Sequence, residues 1–241
     1  MGKVAIGPGT CAAGVNPEAV RGRVRNNLQV IVMQPVLETH PSDFDLWPVA
    51  GVDRHGYLTL SGELGPAEIG TAVMGIAACN DIDPVQDDRP PRPADPLGSF
   101  LHGLLTFDAP FAAGGMRVTD RRKGIVFLPG CCNGLEEWRA WSDVTDGIGH
   151  ASFGHDPDPM AERVGDTVRL TVDVEQRDSP VIELSVRELR DLMDSAERDL
   201  TRFLSVASDW VAQHLPHHIT PVTSALAHAL AMPVTAVLDQ P

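Results

Sequence analysis

Two of the four cysteines stand side by side, in the stretch Leu128-Pro129-Gly130-Cys131-Cys132-Asn133-Gly134-Leu135-Glu136-Glu137-Trp138. A second unusual stretch follows, Gly149-His150-Ala151-Ser152-Phe153-Gly154-His155-Asp156-Pro157-Asp158-Pro159. A thiol becomes a nucleophile when a neighbouring base or a positive environment favours its thiolate. The sequence therefore offers one catalytic triplet: Cys132 as nucleophile, His155 as base, and Asp158 as the group that orients the imidazole. Asp156 is the other candidate orienter, but adjacent side chains such as those of His155 and Asp156 tend to diverge, which favours Asp158. Cys132 is preferred to Cys131 because it lies nearer the start of an expected helix, whose N–H groups could receive an oxyanion. The opposite reading is packing, since free cysteine behaves as a small apolar residue. Glu136 and Glu137 would also oppose a thiolate.

The same residue types bind metals. His150 and His155 satisfy the H-x₃₋₅-H spacing of zinc sites, yet adjacent cysteines do not satisfy C-x₂₋₄-C. The sequence assigns no metal and no cofactor on that ground. His214, His217 and His218 surround Pro216 and read as a solvated loop. The pairs Asp43/Asp45, Asp81/Asp83 and Asp87/Asp88 lack a partnered base. No P-loop, dinucleotide-binding glycine motif or H-E-x-x-H is present.

Around these groups the pattern predicts a strand–turn–helix, with Asn133 as N-cap and Glu136 completing a capping box. Leu135, Trp138 and Trp141 recur every three residues on one packing stripe. Met116–Thr119 and Gly124–Leu128 flank a charged turn and predict a β-hairpin. Val168, Leu170, Val172 and Val174 alternate with polar residues and predict a strand, paired with Val181–Leu184. Ser185 and Glu188 form an S-x-x-E box ahead of a long amphipathic helix to Leu215. A last helix is expected from Thr220 as N-cap. Upstream, Asn16 opens a short helix to Arg25, and Leu28–Val32 reads as a strand ended near Pro35. Tyr57–Leu60 is another strand, and Pro66–Cys79 and Leu97–Phe107 are helices. The stretch 83–96 is proline- and aspartate-rich with almost nothing apolar, and reads as an exposed loop.

These elements predict an α+β fold, an antiparallel sheet packed by the Ser185–Leu215 helix. The chain of 241 residues is read as a single globular unit over 1–241, with 83–96 as the place for an internal boundary. A net charge of −14 disfavours nucleic acid and anionic membrane as partners. No apolar run of transmembrane length and no secretory leader is seen, so a cytoplasmic protein is expected. Four cysteines do not make a disulfide scaffold, and adjacent Cα atoms are too close for an ordinary bridge between Cys131 and Cys132.

The block L-P-G-C-C-x-G-L-E-x-W, followed by G-H-D-P-x-P, a strand pair and a long helix, resembles one found in uncharacterised proteins of high-G+C bacteria. The likeness covers roughly the C-terminal half and carries no assigned activity. The order of acidic loop, strands and a helix bearing Asp199-Leu200-Thr201-Arg202-Phe203-Leu204 is similar to SUKH-type immunity and adaptor proteins. That resemblance implies non-catalytic binding of a toxin or another protein. The leading expectation is thus a cytoplasmic binding protein that presents an acidic surface to a protein partner, a basic one by charge. The competing expectation is a small cysteine-dependent enzyme of bacterial secondary metabolism, performing acyl transfer or hydrolysis through Cys132, His155 and Asp158.

Overall fold

The computed structural model describes residues 30–53, 56–146 and 148–233. The helix expected at 16–25 and Cys11 lie outside them. The fold is α+β, with two antiparallel four-stranded sheets among the described residues. The first has the order β2-β1-β3-β4, from β1 (Ile31–Thr39), β2 (Gly56–Thr59), β3 (Gly114–Asp120) and β4 (Ile125–Phe127). The second is a meander, β5 (His150–Ser152), β6 (Met160–Val164), β7 (Thr167–Thr171) and β8 (Val181–Ser185). Among the described residues five α-helices accompany them: α1 (Pro66–Cys79), α2 (Pro96–Thr106), α3 (Trp141–Asp146), α4 (Val186–His214) and α5 (Ile219–Ala229). Among the described residues no helix is long and apolar enough to cross a membrane.

The strand expected to end near Pro35 runs on to Thr39. A strand residue's N–H and C=O point the same way. The Pro35 carbonyl accepts from the Leu60 N–H at 2.9 Å, on the β2 side. The missing N–H therefore falls where β2 gives out, and the β1–β3 ladder loses no bond. The strand expected to reach Val174 stops at Thr171. Asp173 ends it, because its carboxylate accepts from the Glu175 N–H at 3.1 Å and the Gln176 side chain at 2.7 Å, which closes a turn.

Helix α4 is the main packing element. Its apolar stripe from Leu189 to Val211 is buried and lies against β1 of the first sheet and β7 and β8 of the second. One apolar cluster draws on both sheets. The helix starts as expected: Ser185 Oγ accepts from the Glu188 N–H at 3.2 Å, and the Glu188 carboxylate accepts from the Ser185 N–H at 2.8 Å. Ser185→Ala should therefore cost about 1 kcal/mol in denaturant unfolding. The Glu188 carboxyl is held low by the Ser185 backbone and side chain. Its folded pKa lies below its unfolded one, so its contribution is present above the unfolded carboxylate range and is lost as pH falls through the folded value.

The last helix begins two residues earlier than expected. His218, not Thr220, is its N-cap, and the Val222 N–H donates to the His218 carbonyl at 3.0 Å. Pro221 then sits in the first turn, where no N–H is needed. The acidic stretch 83–96 holds a short 3₁₀ turn at Pro84–Asp87 and leads into α2, which Asp95 caps by accepting from the Gly98 N–H at 2.7 Å.

Candidate cysteine–histidine site

The site is built on an aromatic cluster beneath it. Trp141 stacks on Phe153 with centroids 4.2 Å apart, and Phe127 meets Trp141 edge-on at 5.7 Å. All three rings are buried. Phe127 ends β4, four residues before Cys131, and Phe153 follows β5, two residues before His155. Holding the rings together therefore aligns the two segments that leave them. The Gly130 N–H donates to the Phe153 carbonyl at 2.8 Å, and Cys131 and His155 exchange backbone bonds of 2.6 and 3.2 Å. Gly130 permits this approach, since a Cβ there would lie 2.3 Å from the Pro157 carbonyl oxygen and 2.6 Å from the His155 nitrogen.

The helix expected after the cysteines is instead a six-residue 3₁₀ helix, Leu135–Ala140, with Gly134 at its N-cap position. This geometry brings residues three apart onto one edge, which is why Leu135, Trp138 and Trp141 are all buried. Asn133 is not the cap. It is buried, and its side-chain amide donates to the Gly114 carbonyl at 2.6 Å, tying the turn to β3. The Leu135 N–H is bonded to the Ala112 carbonyl at 2.8 Å and the Asn133 N–H to the Gly130 carbonyl at 3.4 Å. Those donors are committed within the protein, which corrects the expectation of an anion-receiving helix start there.

Above this base the Cys131 and Cys132 sulfurs lie 3.4 Å apart, and they and a His155 ring nitrogen all fall within 4.8 Å of one another. The three residues are exposed. His155 Nδ1 lies 3.1 Å from Asp156 Oδ2. The adjacent side chains thus converge, because Asp156 takes a left-handed backbone conformation, φ 51°, that folds its carboxylate back. Asp158 does not reach the imidazole. Its carboxylate accepts from the Ser152 hydroxyl at 3.1 Å, and its N–H faces Asp173. Asp156, and not Asp158, is thus the carboxylate placed against the imidazole. His150 stays apart at the exposed start of β5, opposite Glu162.

The electrostatics polarise the cluster. Hydrogen bonding to Cys131 and to the His155 ring holds the Cys132 thiol below its usual value. Cys131 moves up, because of its hydrogen bond with the Cys132 thiol and the charge on that neighbour. Hydrogen bonds to Asp156 and then Cys132 raise the His155 imidazole. The acid that opposes the Cys132 thiolate is Glu38 of β1, whereas Glu136 is half-buried against the Ala112 N–H.

Comparison with protein families, with curated proteins and with solved structures gives no match. The site must therefore be read from its own chemistry. A cleft of about 160 Å³ opens beside Cys131 and Asp156, walled by Glu38, His40, Tyr57 and Pro157. The Tyr57 hydroxyl donates to the Pro129 carbonyl at 3.2 Å and ties β2 to the cysteine turn. Burial, then Glu38 and Cys131, raises this phenol's pKa. A second hollow of about 310 Å³ shares Glu38 and His40 and has Met74, Ala78 and Cys79 along it. Glu38 and Tyr57 carry no local signal of this role, because β1 and β2 are far from the cysteines in sequence.

Cys132 itself has φ 65°, a left-handed conformation that costs a non-glycine residue about 1 kcal/mol. Such strain is commonly held where a side chain has a task. Cys132→Gly should raise stability by about 1 kcal/mol, a rise in Tm of about 2–4 °C, while removing the thiol. A lower Tm would show that the side chain does not strain this backbone.

Proposed function

We propose that this protein is a cysteine-dependent enzyme acting on acyl groups, a hydrolase or acyltransferase. The observation that carries the reading is the meeting of Cys132, His155 and Asp156 on an exposed surface beside a cleft. Asp156 holds the imidazole and favours its protonated form, and the imidazolium in turn favours the Cys132 thiolate. The thiolate attacks a carbonyl carbon, and a C–S bond forms. The bond to the leaving group breaks, and that group departs with the proton of His155. Water or an acceptor alcohol or amine then gives its proton to His155 and attacks the thioester, which frees Cys132. The cleft beside Cys131, with the Met74 and Ala78 hollow beyond Glu38, offers room for a small, partly apolar acyl chain.

The net charge of −14 supports the other expectation, an acidic surface for a basic protein partner. The side-chain geometry favours the enzyme. The decisive experiment is trapping with p-nitrophenyl acetate and intact-protein and peptide mass spectrometry. One acetyl group should appear on Cys132, slowly in His155→Ala and not in Cys132→Ser. Equal labelling of Cys79, Cys131 and Cys132 would sink the proposal.

A further inference from the structure

Two sulfurs and an imidazole within 4.8 Å are also a ligand set, although the two cysteines are adjacent in sequence. The third ligand comes not from a second pair along the chain but from the facing segment, through the Cys131–His155 backbone pairing. The two thiols already lie at a separation that fits a tetrahedral site. Zinc–sulfur bonds of about 2.3 Å place two thiolates about 3.8 Å apart in a tetrahedral site, against about 4.6 Å in a linear one. The observed 3.4 Å lies close to the tetrahedral value and far from the linear arrangement of the softest ions.

A second observation points the same way. Histidines that bind zinc through one ring nitrogen commonly hold a carboxylate with the other. Asp156 occupies Nδ1 of His155 at 3.1 Å, which leaves Nε2 as the nitrogen available to a cation. Two thiolates and an imidazole suit a borderline-soft divalent ion and not Mg²⁺ or Ca²⁺, which prefer oxygen. The residues are exposed, so the fourth position is open to water.

We propose that Cys131, Cys132 and His155 bind one zinc-class divalent cation, and that its binding masks the Cys132 nucleophile. The masking half rests on the enzyme reading above, whereas the cation site does not. Coordination draws charge from the Cys132 thiolate, which lowers its nucleophilicity, and takes the His155 nitrogen from its proton-transfer role. Zinc would thus act as a reversible brake on the same atoms.

The test titrates the reduced, chelator-stripped full chain with Co²⁺, whose tetrahedral thiolate complexes show sulfur-to-cobalt charge-transfer absorption. One Co²⁺ per chain should bind with that signature and be displaced by Zn²⁺. Cys79→Ser should keep it, while Cys131→Ser, Cys132→Ser and His155→Ala should lose it. Asp156→Asn, which suits the left-handed backbone, should weaken binding about 10–100-fold. Stoichiometric Zn²⁺ should also block iodoacetamide at Cys132. No charge-transfer band, or a band unchanged in Cys132→Ser and His155→Ala, overturns the cation site. A normal band without protection of Cys132 overturns the masking. A normal band in a protein that forms no acetyl-Cys132 removes the enzyme reading and leaves the cation site standing.

Discussion

In metal-free protein at neutral pH, iodoacetamide should modify Cys132 well before Cys131 or Cys79. The Cys132 thiol is lowered by Cys131 and His155, Cys131 is raised by Cys132, and Cys79, although exposed at the surface, is raised by partial desolvation of its sulfur. A thiol with a lowered pKa keeps its thiolate as pH drops below the ordinary thiol value of about 8.5, so the Cys132 rate profile is displaced to the acid side. The raised imidazole keeps its charge above about 6.5, and the two shifts together favour a window in which thiolate and imidazolium coexist. Every tenfold gain in thiolate carries about a threefold loss of intrinsic nucleophilicity, so the net rate gain is about threefold for each such step. His155→Ala should move the Cys132 profile toward alkaline pH and slow modification severalfold at pH 7, with little change near pH 10. Peptide-resolved alkylation across pH measures this. A Cys132 profile that coincides with that of a free thiol would remove the ion pair from the mechanism.

Phe153→Ala should cost about 3–5 kcal/mol in chemical unfolding. The ring is 4% exposed, stacks on Trp141 and meets Phe127 at 6.0 Å, so its removal leaves a void between two rings on different elements. The functional consequence is specific. The Phe153 carbonyl accepts from the Gly130 N–H, and the next pairing along is Cys131 with His155. Loosening the first pairing frees the second, so amide hydrogen exchange at Cys131 and His155 should accelerate beyond the change in global stability. A cost below about 1 kcal/mol, or unchanged exchange at those two amides, would show that the cluster does not hold the site.

Much of the architecture was legible locally because its causes lie within a few residues. The S-x-x-E box at Ser185 and the helical spacing of Leu189 to Val211 mark α4 at the position observed. Pro66 marks the start of α1, and the alternation through Val168 and Leu170 marks β7. The short strands β5 and β6 were missed. His150–Ser152 is too brief to show a period, and Met160–Val164 buries only Ala161 among its five residues.

The candidate site divides along the same line. Residue type pointed to the cysteine pair and His155, since thiols and imidazoles crowd two neighbouring stretches, whereas the helix start that favoured Cys132 over Cys131 does not form there. Their meeting was decided by tertiary structure, because it needs the Cys131–His155 pairing and the glycine that lets two backbones approach. The choice of Asp156 over Asp158 was also tertiary. Sequence adjacency argued for divergence, and a single left-handed residue reversed it. The cleft walls at Glu38 and Tyr57 belong to the first sheet and arrive through strand pairing. Helix caps and periodicity act through bonds that neighbouring residues make with one another. A reactive surface is made of residues whose only relation is the packing that brings them together.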